Sequence, residues 1–291
     1  MHQPAPTLAW YDVADPASPD LDQLARQFNL HELDIEDCRH APQRAKEEEH
    51  DTYVFSILKR IHTKPAFKFR DFCMFLGRDF LITVHTGESD LIAHVAKKVA
   101  EEKVTRLDRI FYFLTDAIVD EYLPVLDAIS EKISDIESAV LERPEPKVLR
   151  QIFDFKRQLI YFRRATSEMR ELVNAVLRRE NGIVNDDLDH YFRDVYDHLV
   201  RTLDLIETNR DLVTGSLDIY LSAVANRTNE VMKVLTVWGT VALPLVIITG
   251  FFGMNLHLPW MQDPHGAWYA TALMIASTVG ILIYFRRKGW F

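Results

Sequence analysis

Two long segments near the C-terminal end contain no Lys, Arg, Asp or Glu, and they limit what this chain can fold into. They are residues 234–262 and 266–285. Each is long enough for a helix of about 20 residues, which crosses ~30 Å of hydrocarbon. Trp268 and Tyr284 stand near the two ends of the second segment, where aromatic residues lie at membrane interfaces. The sequence therefore predicts two transmembrane helices, at about 234–254 and 266–285.

The basic residues around these segments predict the orientation of the chain. Arg227 and Lys233 precede the first span, Arg286, Arg287 and Lys288 follow the second, and the linker has no Lys or Arg. Loops rich in Lys and Arg stay in the cytoplasm. We therefore expect both termini in the cytoplasm, a short external loop, and a multi-pass protein of the inner (plasma) membrane.

The remaining sequence is acidic. The net charge is −9 for the whole chain, and because residues 234–291 contribute +2, residues 1–233 carry −11. Such a charge disfavours nucleic acid as a partner, since phosphate binding needs clustered Lys and Arg, and it suits cations. Cys38 and Cys73 do not form a CxxC pair, so we expect buried thiols. The sequence lacks a Gly-rich phosphate loop, HExxH and a nucleophile motif, which predicts no enzyme activity and no organic cofactor.

Apolar spacing predicts three long helices after residue 106. The first covers 107–140, the second 147–179, and the third begins near 185 and runs for roughly 55 to 65 residues into the first span. Residues 7–106 differ, with alternating strands predicted at 53–61, 68–76 and 80–85 and helices around them. The acidic run 47–51 is predicted to be a solvated loop.

These patterns predict three domains. They are an α/β domain at 1–106, a helical stalk at 107–233 and a transmembrane hairpin at 234–291. Two membrane helices cannot by themselves enclose a polar path, because lipid would contact most of their surface. A pore would therefore require several copies of the chain.

The first span ends in Gly253-Met254-Asn255. In this position, after the first of two terminal spans, the triplet resembles the signature of the CorA family of divalent-cation transporters. Further segments are similar to that family: 31–37 with Gln43 and Arg44, 141–144, 191–198, 229–236 and the basic tail 286–290. The resemblance implies an α+β membrane protein with a cytoplasmic N-terminal α/β domain, assembled as a homopentameric funnel.

It also implies a function and a selectivity filter at Gly253, Met254 and Asn255. The expected function is channel-like transport of hydrated Mg2+, and also of Co2+ and Ni2+. Mg2+ loses its waters reluctantly, so a ring of neutral Asn255 amides can hold the hydration shell without stripping it. Conduction also needs binding weak enough for release, which a carboxylate ring would not provide.

One face of the first span is predicted to line the pore. Leu235, Gly239, Leu243, Val246 and Gly250 recur at steps of 4, 4, 3 and 4. Met232 and Leu235 at the cytoplasmic end would form a gate that closes by dewetting. The alternative is that this face packs against another helix or contacts lipid. Relatives often have Thr where Val246 stands and Met where Leu243 stands, which leaves the ion preference open.

The resemblance places a regulatory divalent ion at Asp37 and Asp194, between neighbouring subunits. Cytoplasmic Mg2+ would then neutralise facing carboxylates and hold the pentamer closed. The stalk also carries His190, Asp197 and His198 near Asp194, and imidazoles suit Zn2+ better than Mg2+. Two alternatives thus stay open: a zinc transporter similar to ZntB, and a membrane-anchored interaction protein that transports nothing.

Overall fold

The computed structural model describes residues 3–5, 8–62, 67–142, 144–179, 182–254 and 265–290. These residues belong to two compact units, Met1–Leu217 and Asp218–Phe291. The first unit contains a sheet with helices, and the second contains apolar helices. The division into three domains remains a prediction.

A five-stranded mixed sheet organises the first unit. Its strands are β1 Trp10–Val13, β2 Lys46–Glu49, β3 Tyr53–His62, β4 Lys68–Gly77 and β5 Leu81–Val84. Their order is β1-β5-β4-β3-β2, with β1 parallel to β5 and all other pairs antiparallel. The three strands predicted from alternation are confirmed, each to within one residue at either end. The short strands β1 and β2 were not anticipated.

Nine helices of the described chain surround or follow this sheet. They are α1 Pro19–Phe28, α2 Glu32–Arg39, α3 Asp90–Glu101, α4 Leu107–Asp120, α5 Tyr122–Glu142, α6 Pro146–Leu177, a 3-10 turn Asp186–Leu188, α7 Asp189–Phe252 and α8 Gly266–Arg287. Local signals set several starts. The Ser18 hydroxyl accepts from the Asp20 N–H and Pro19 occupies the first turn of α1, while the Asn185 side chain accepts from the Asp187 N–H.

Helices cover both faces of the sheet. Because successive side chains of a strand point to opposite faces, each strand contributes side chains to both layers. Tyr53, Phe55 and Ile57 of β3 belong to a buried core shared with Leu21 of α1 and Ile35 of α2. On α6, the Met169 sulfur accepts the Lys59 N–H at 3.3 Å, and Phe162 packs against Phe69 with ring centroids 5.3 Å apart. Cys38 and Cys73 are buried thiols, as expected.

The predicted helix over 107–140 is wrong in one respect: it is interrupted at Glu121, between α4 and α5. Pro124 explains the interruption, since it has no N–H for the Asp120 carbonyl and its ring clashes with that carbonyl. Glu121 at the break accepts hydrogen bonds from the buried Arg60 side chain of β3, at 2.8 Å from Nη2. The interruption thus places a carboxylate against the sheet.

The predicted solvated loop at 47–51 is also wrong. Residues Lys46–Glu49 form β2, paired with β3. The Glu47 side chain is buried in an ion pair with Arg179, just after α6. Burial lowers the pKa of Arg179 to about 9. A distant residue in the sequence supplies the counter-charge, so the charge pattern alone gave no sign of the strand.

The second unit contains the last part of α7 together with α8. As predicted, both helices are long and apolar enough to cross a membrane. α7 has 64 residues and continues through Pro244 to Phe252. At the end of α8 Gly289 adopts a φ of 69°, and the Trp290 N–H bonds the Phe285 carbonyl at 3.1 Å. This helix cap brings Trp290 back onto the Phe285 ring, with centroids 5.0 Å apart.

Candidate functional site

The predicted pore-lining residues occupy the apolar end of α7. Leu235 is 64% exposed in the single chain, and Leu243 and Val246 are similarly exposed. A Cβ added at Gly239 or Gly250 would meet no atom within 4 Å. Trp238, on another side of the helix, is 71% exposed. Exposure therefore shows that the helix is unpartnered on several faces, and it does not select the face that lines an axis.

The end of α7 positions the first two residues of the predicted filter. The Gly253 N–H bonds the Thr249 carbonyl at 2.9 Å, and the Met254 N–H bonds the Phe251 carbonyl at 3.3 Å. A Cβ at Gly253 would lie 3.0 Å from the Thr249 oxygen, so glycine allows this close approach of backbone to backbone. Asn255, the residue predicted to contact the ion's water shell, lies outside the described residues.

The predicted gate lies near the other end of the apolar segment. Met232 and Leu235 are both exposed in the single chain. Next to them Lys233 Nζ lies 5.8 Å from the Trp290 ring centroid and 3.5 Å from the Gly289 carbonyl. The start of the first span and the end of the second therefore lie at the same end of the hairpin, as expected if both basic flanks face one side of the membrane.

Asp194 lies in the first unit, on the part of α7 that follows the 3-10 turn. Its side chain is 66% exposed, and its Oδ2 is 3.9 Å from His198 Nε2. His198 Nδ1 is 3.5 Å from Asp120 Oδ1 on α4. Asp116, Asp120 and His198 each offer a ligand atom within 4.8 Å of the others. We call Asp116, Asp120, Asp194 and His198 the stalk cluster.

Electrostatics in the stalk cluster favour a bound cation. Burial raises the pKa of Asp116, and the neighbouring Asp120 charge raises it further. Burial and the Asp116 charge likewise raise the pKa of Tyr112. Two carboxylates that disfavour each other's charge become compatible when a cation lies between them. Histidine adds a nitrogen ligand, which a borderline metal accepts more readily than Mg2+ does.

Asp37, the other predicted regulatory residue, lies on α2. Its Oδ2 is 2.7 Å from Lys46 Nζ of β2, and the same ammonium is 2.6 Å from Glu48 Oε1. Burial acts to lower the pKa of Lys46, but its hydrogen bonds to Asp37 and Glu48 raise it overall, so Lys46 is a permanent cation at neutral pH. The structure therefore pairs Asp37 with Lys46 and Asp194 with His198.

Sequence reasoning missed Asp116 and Asp120. They are four residues apart on α4 and thus share a helix face, which was the available signal. Their meeting with His198 depends on how α4 packs against α7, and residue spacing does not contain that information. His190 and Asp197 do not belong to the group of ligand atoms around His198 in the described part of the chain.

Comparison with known proteins finds relatives that match nearly the whole chain. The family model described as "CorA-like Mg2+ transporter protein" matches residues 6–287. The cobalt/magnesium transport protein CorA of Thermotoga maritima is 32% identical, over 98% of this chain and 84% of that protein. The cobalt/magnesium transport protein CorA of Methanocaldococcus jannaschii is 24% identical, over 97% of this chain and 91% of that protein.

The solved structures agree on the fold. The complete structure of the CorA magnesium transporter from Methanocaldococcus jannaschii superposes with a TM-score of 0.87, at 23% identity, over 97% of this chain and 91% of that chain. The likeness extends over the α/β domain, the long helix and both apolar helices. The chain therefore has this α+β fold, and its two candidate membrane helices, together with its similarity to CorA transport proteins, make it a membrane-embedded protein.

Proposed function

The chain belongs to the family of CorA-like Mg2+ transporters, and we propose that it carries hydrated Mg2+ across the inner (plasma) membrane, with Co2+ and Ni2+ as further substrates. One observation carries this proposal: the similarity, over nearly the whole chain, to a protein named for cobalt and magnesium transport. Members of the family are ion transporters, and the chain is not an enzyme.

The proposed pore is made by five copies of the chain. Each copy brings two apolar helices, which cannot surround an aqueous path alone. The surface of α7 supports assembly, because large apolar side chains such as Trp238 and Ile247 are exposed on it in the single chain. In the pentamer we assign Leu235, Gly239, Leu243, Val246 and Gly250 to the axis.

Ion passage in this proposal depends on hydration. Five Asn255 amides around the axis would accept hydrogen bonds from the waters of Mg2+. Below them the path is apolar, and Met232 with Leu235 closes it by excluding water. With both termini in the cytoplasm, the membrane potential drives a cation inward by ~2.3 kcal/mol per charge per 100 mV.

Regulation is assigned to the acidic part of the chain, residues 1–233. Asp194 and Asp37 of neighbouring subunits would share a cytoplasmic Mg2+, which stabilises the closed pentamer. The stalk cluster supports this assignment, since burial and like charge favour an added cation at Asp116 and Asp120. A fall in cytoplasmic Mg2+ would leave these carboxylates repelling one another and shift the population toward the open state.

A second candidate is zinc transport of the ZntB kind, with proton coupling or outward flux. The observation that favours it is the imidazole of His198 among the carboxylates of the stalk cluster. Magnesium and cobalt in the names of the relatives favour the first candidate. Metal competition separates them, because excess Mg2+ would block Zn2+ entry in a magnesium pathway and would leave a zinc pathway open.

The test is flux into vesicles reconstituted with purified protein. Asn255→Ala should abolish Mg2+ uptake while the oligomer stays fivefold by native mass spectrometry. Thr271→Ala is the matched control, because that hydroxyl on α8 bonds only the Ala267 carbonyl of its own helix among the described residues, at 2.8 Å. Normal Mg2+ uptake by the Asn255 variant would reject the filter, and a wild-type protein that carries no divalent ion would reject transport altogether.

A further inference from the structure

A second group of possible metal ligands lies in the α/β domain and shares no residue with the stalk cluster. Asp34 belongs to α2, Glu48 to β2, and His50 to the turn between β2 and β3. One ligand atom from each residue lies within 4.8 Å of the other two. His50 Nε2 lies 2.9 Å from Asp34 Oδ2. Asp34 precedes Glu48 by 14 residues in the sequence, yet its carboxylate lies beside the side chains of Glu48 and His50.

The buried Asp34 carboxylate has one oxygen atom whose hydrogen-bonding capacity is not satisfied by the described residues. Its side chain is 1% exposed. Oδ2 accepts a hydrogen bond of 2.6 Å from the Tyr53 hydroxyl, whereas Oδ1 has no hydrogen-bond partner among the described residues. His50 Nε2 also lacks a well-directed hydrogen bond there. A buried carboxylate oxygen without a partner is costly, and a cation at this point would satisfy it.

Tyr53 holds the candidate ligands in place. Its hydroxyl donates to Asp34 and accepts the His31 N–H at 2.8 Å, which fixes the Asp34 side chain. Its ring stacks on His50 with centroids 4.5 Å apart, and its carbonyl accepts the His50 N–H at 2.9 Å. Metal ligands are typically oriented by such outer partners. Burial raises the pKa of Asp34, against the lowering effects of the Tyr53 hydrogen bond and of His50.

We propose that Asp34, Glu48 and His50 bind a first-row transition-metal ion of the Zn2+ class, with a water as a fourth ligand. One nitrogen and two carboxylate oxygens suit Zn2+, Co2+ or Ni2+, while Mg2+ prefers oxygen alone. Metal–ligand bonds of about 2.0–2.2 Å would place the three ligand atoms roughly 3.4 Å from one another. These atoms now lie within 4.8 Å of one another, so the side chains need to move only slightly to bind the ion. The side chains of Glu48 and His50 are 44% and 26% exposed, which leaves a way in from solvent.

The bound ion would tie α2 to the β2–β3 turn. Glu48 reaches it by giving up Lys46, whose ammonium lies 2.6 Å from Glu48 Oε1. Lys46 therefore competes with the metal, and its other partner, Asp37, would gain the freed ammonium. The site needs neither the pore nor the pentamer, so it stands or falls independently of transport.

The test uses the full-length protein in detergent, stripped with a chelator and titrated with Co2+. Nitrogen-ligated Co2+ of low coordination number gives a strong visible d–d band, and the number of ions bound per chain is counted by equilibrium dialysis. The variants are His50→Asn, Glu48→Gln and Asp34→Asn. His40→Asn is the matched control, an exposed histidine at the end of α2, and Asp120→Asn removes a ligand of the stalk cluster.

The wild type, His40→Asn and Asp120→Asn should keep a band that Zn2+ abolishes and that excess Mg2+ leaves unchanged. His50→Asn and Glu48→Gln should each bind one Co2+ fewer per chain and lose that band. A band and a stoichiometry unchanged in His50→Asn would overturn the site. If Asp34→Asn fails to fold, the other two variants decide, because their side chains reach solvent.

Discussion

Lys46 acts as a built-in competitor for any divalent ion at Asp37, and Lys46→Met tests this. The ammonium lies 2.7 Å from Asp37 Oδ2, and the two side chains are 31% and 23% exposed. Methionine keeps the apolar stem of the side chain and removes the charge. Because partly exposed ion pairs contribute about 1 kcal/mol or less to stability, the variant should fold normally.

The expected effect on ion binding follows from Coulomb's law. Two unit charges 4 Å apart interact by ~1 kcal/mol in an aqueous dielectric, so a divalent ion at Asp37 is repelled by Lys46 by about 2 kcal/mol. At 1.4 kcal/mol per factor of ten, removing Lys46 should strengthen divalent binding at Asp37 by ~30-fold. A lower effective dielectric would increase the factor.

The assay measures how Mg2+ inhibits ion flux in reconstituted vesicles when it is added on the side of the membrane that carries the acidic residues 1–233. Lys46→Met should be inhibited at an Mg2+ concentration ~30-fold lower than the wild type. Lys46→Arg, which keeps the charge, is the control and should behave as the wild type. If both variants show the wild-type inhibition curve, Asp37 does not bind the inhibitory ion and the electrostatic reasoning fails.

Three further perturbations test other parts of the structure. Gly253→Ala places a Cβ 3.0 Å from the Thr249 carbonyl oxygen and should reduce Mg2+ flux in assembled protein. Gly280→Ala is the control, because its Cβ meets no described atom within 4 Å, and its flux should equal that of the wild type. Equal flux in the two variants would show that the close approach at Gly253 does not matter for transport. Asp116→Asn should raise the melting temperature at pH 8. Burial and the Asp120 charge raise the pKa of Asp116 in the folded state above its ordinary value of 3.8, so the wild type loses stability as the pH rises from 3.8 through that higher value. The difference in melting temperature between variant and wild type should therefore shrink toward pH 4. A variant that melts at a lower temperature than the wild type at pH 8 would contradict this reasoning. Arg60→Met leaves the half-buried Glu121 unpaired and should cost about 3 kcal/mol in chemical unfolding. Asp90→Asn, at the exposed partner of Arg60, should cost under about 1 kcal/mol.

The apolar patterns were read correctly because membranes and helices impose simple rules. Hydrocarbon thickness fixes the length of a span, so the two runs near the C-terminus predicted α8 and the end of α7. Strands β3 and β4 were identified from the alternation of apolar residues in the sequence, although the structure buries both faces of β3. The interruption at Glu121 was missed since the apolar spacing continues across it, although Pro124 was present as a signal.

Charged residues were harder to interpret, because their state depends on partners distant in sequence. The acidic run at 47–51 looks solvated in the sequence, yet Glu47 pairs with Arg179 and Glu48 with Lys46. The sequence did not identify Asp116 and Asp120 as candidate ligands, because their role depends on the packing of α4 against His198 of α7. The convergence of Asp34 with His50 likewise depends on a helix packing beside a strand turn.

The sequence by itself determined the membrane hairpin, its Gly253-Met254-Asn255 end and the acidic character of residues 1–233, because hydropathy and net charge are sums over residues. Only the tertiary structure decided which carboxylates lie together, which lysine neutralises Asp37 and which buried oxygen of Asp34 has no hydrogen-bond partner among the described residues. Coulomb energies depend on distance and burial, and both are set by packing across the fold.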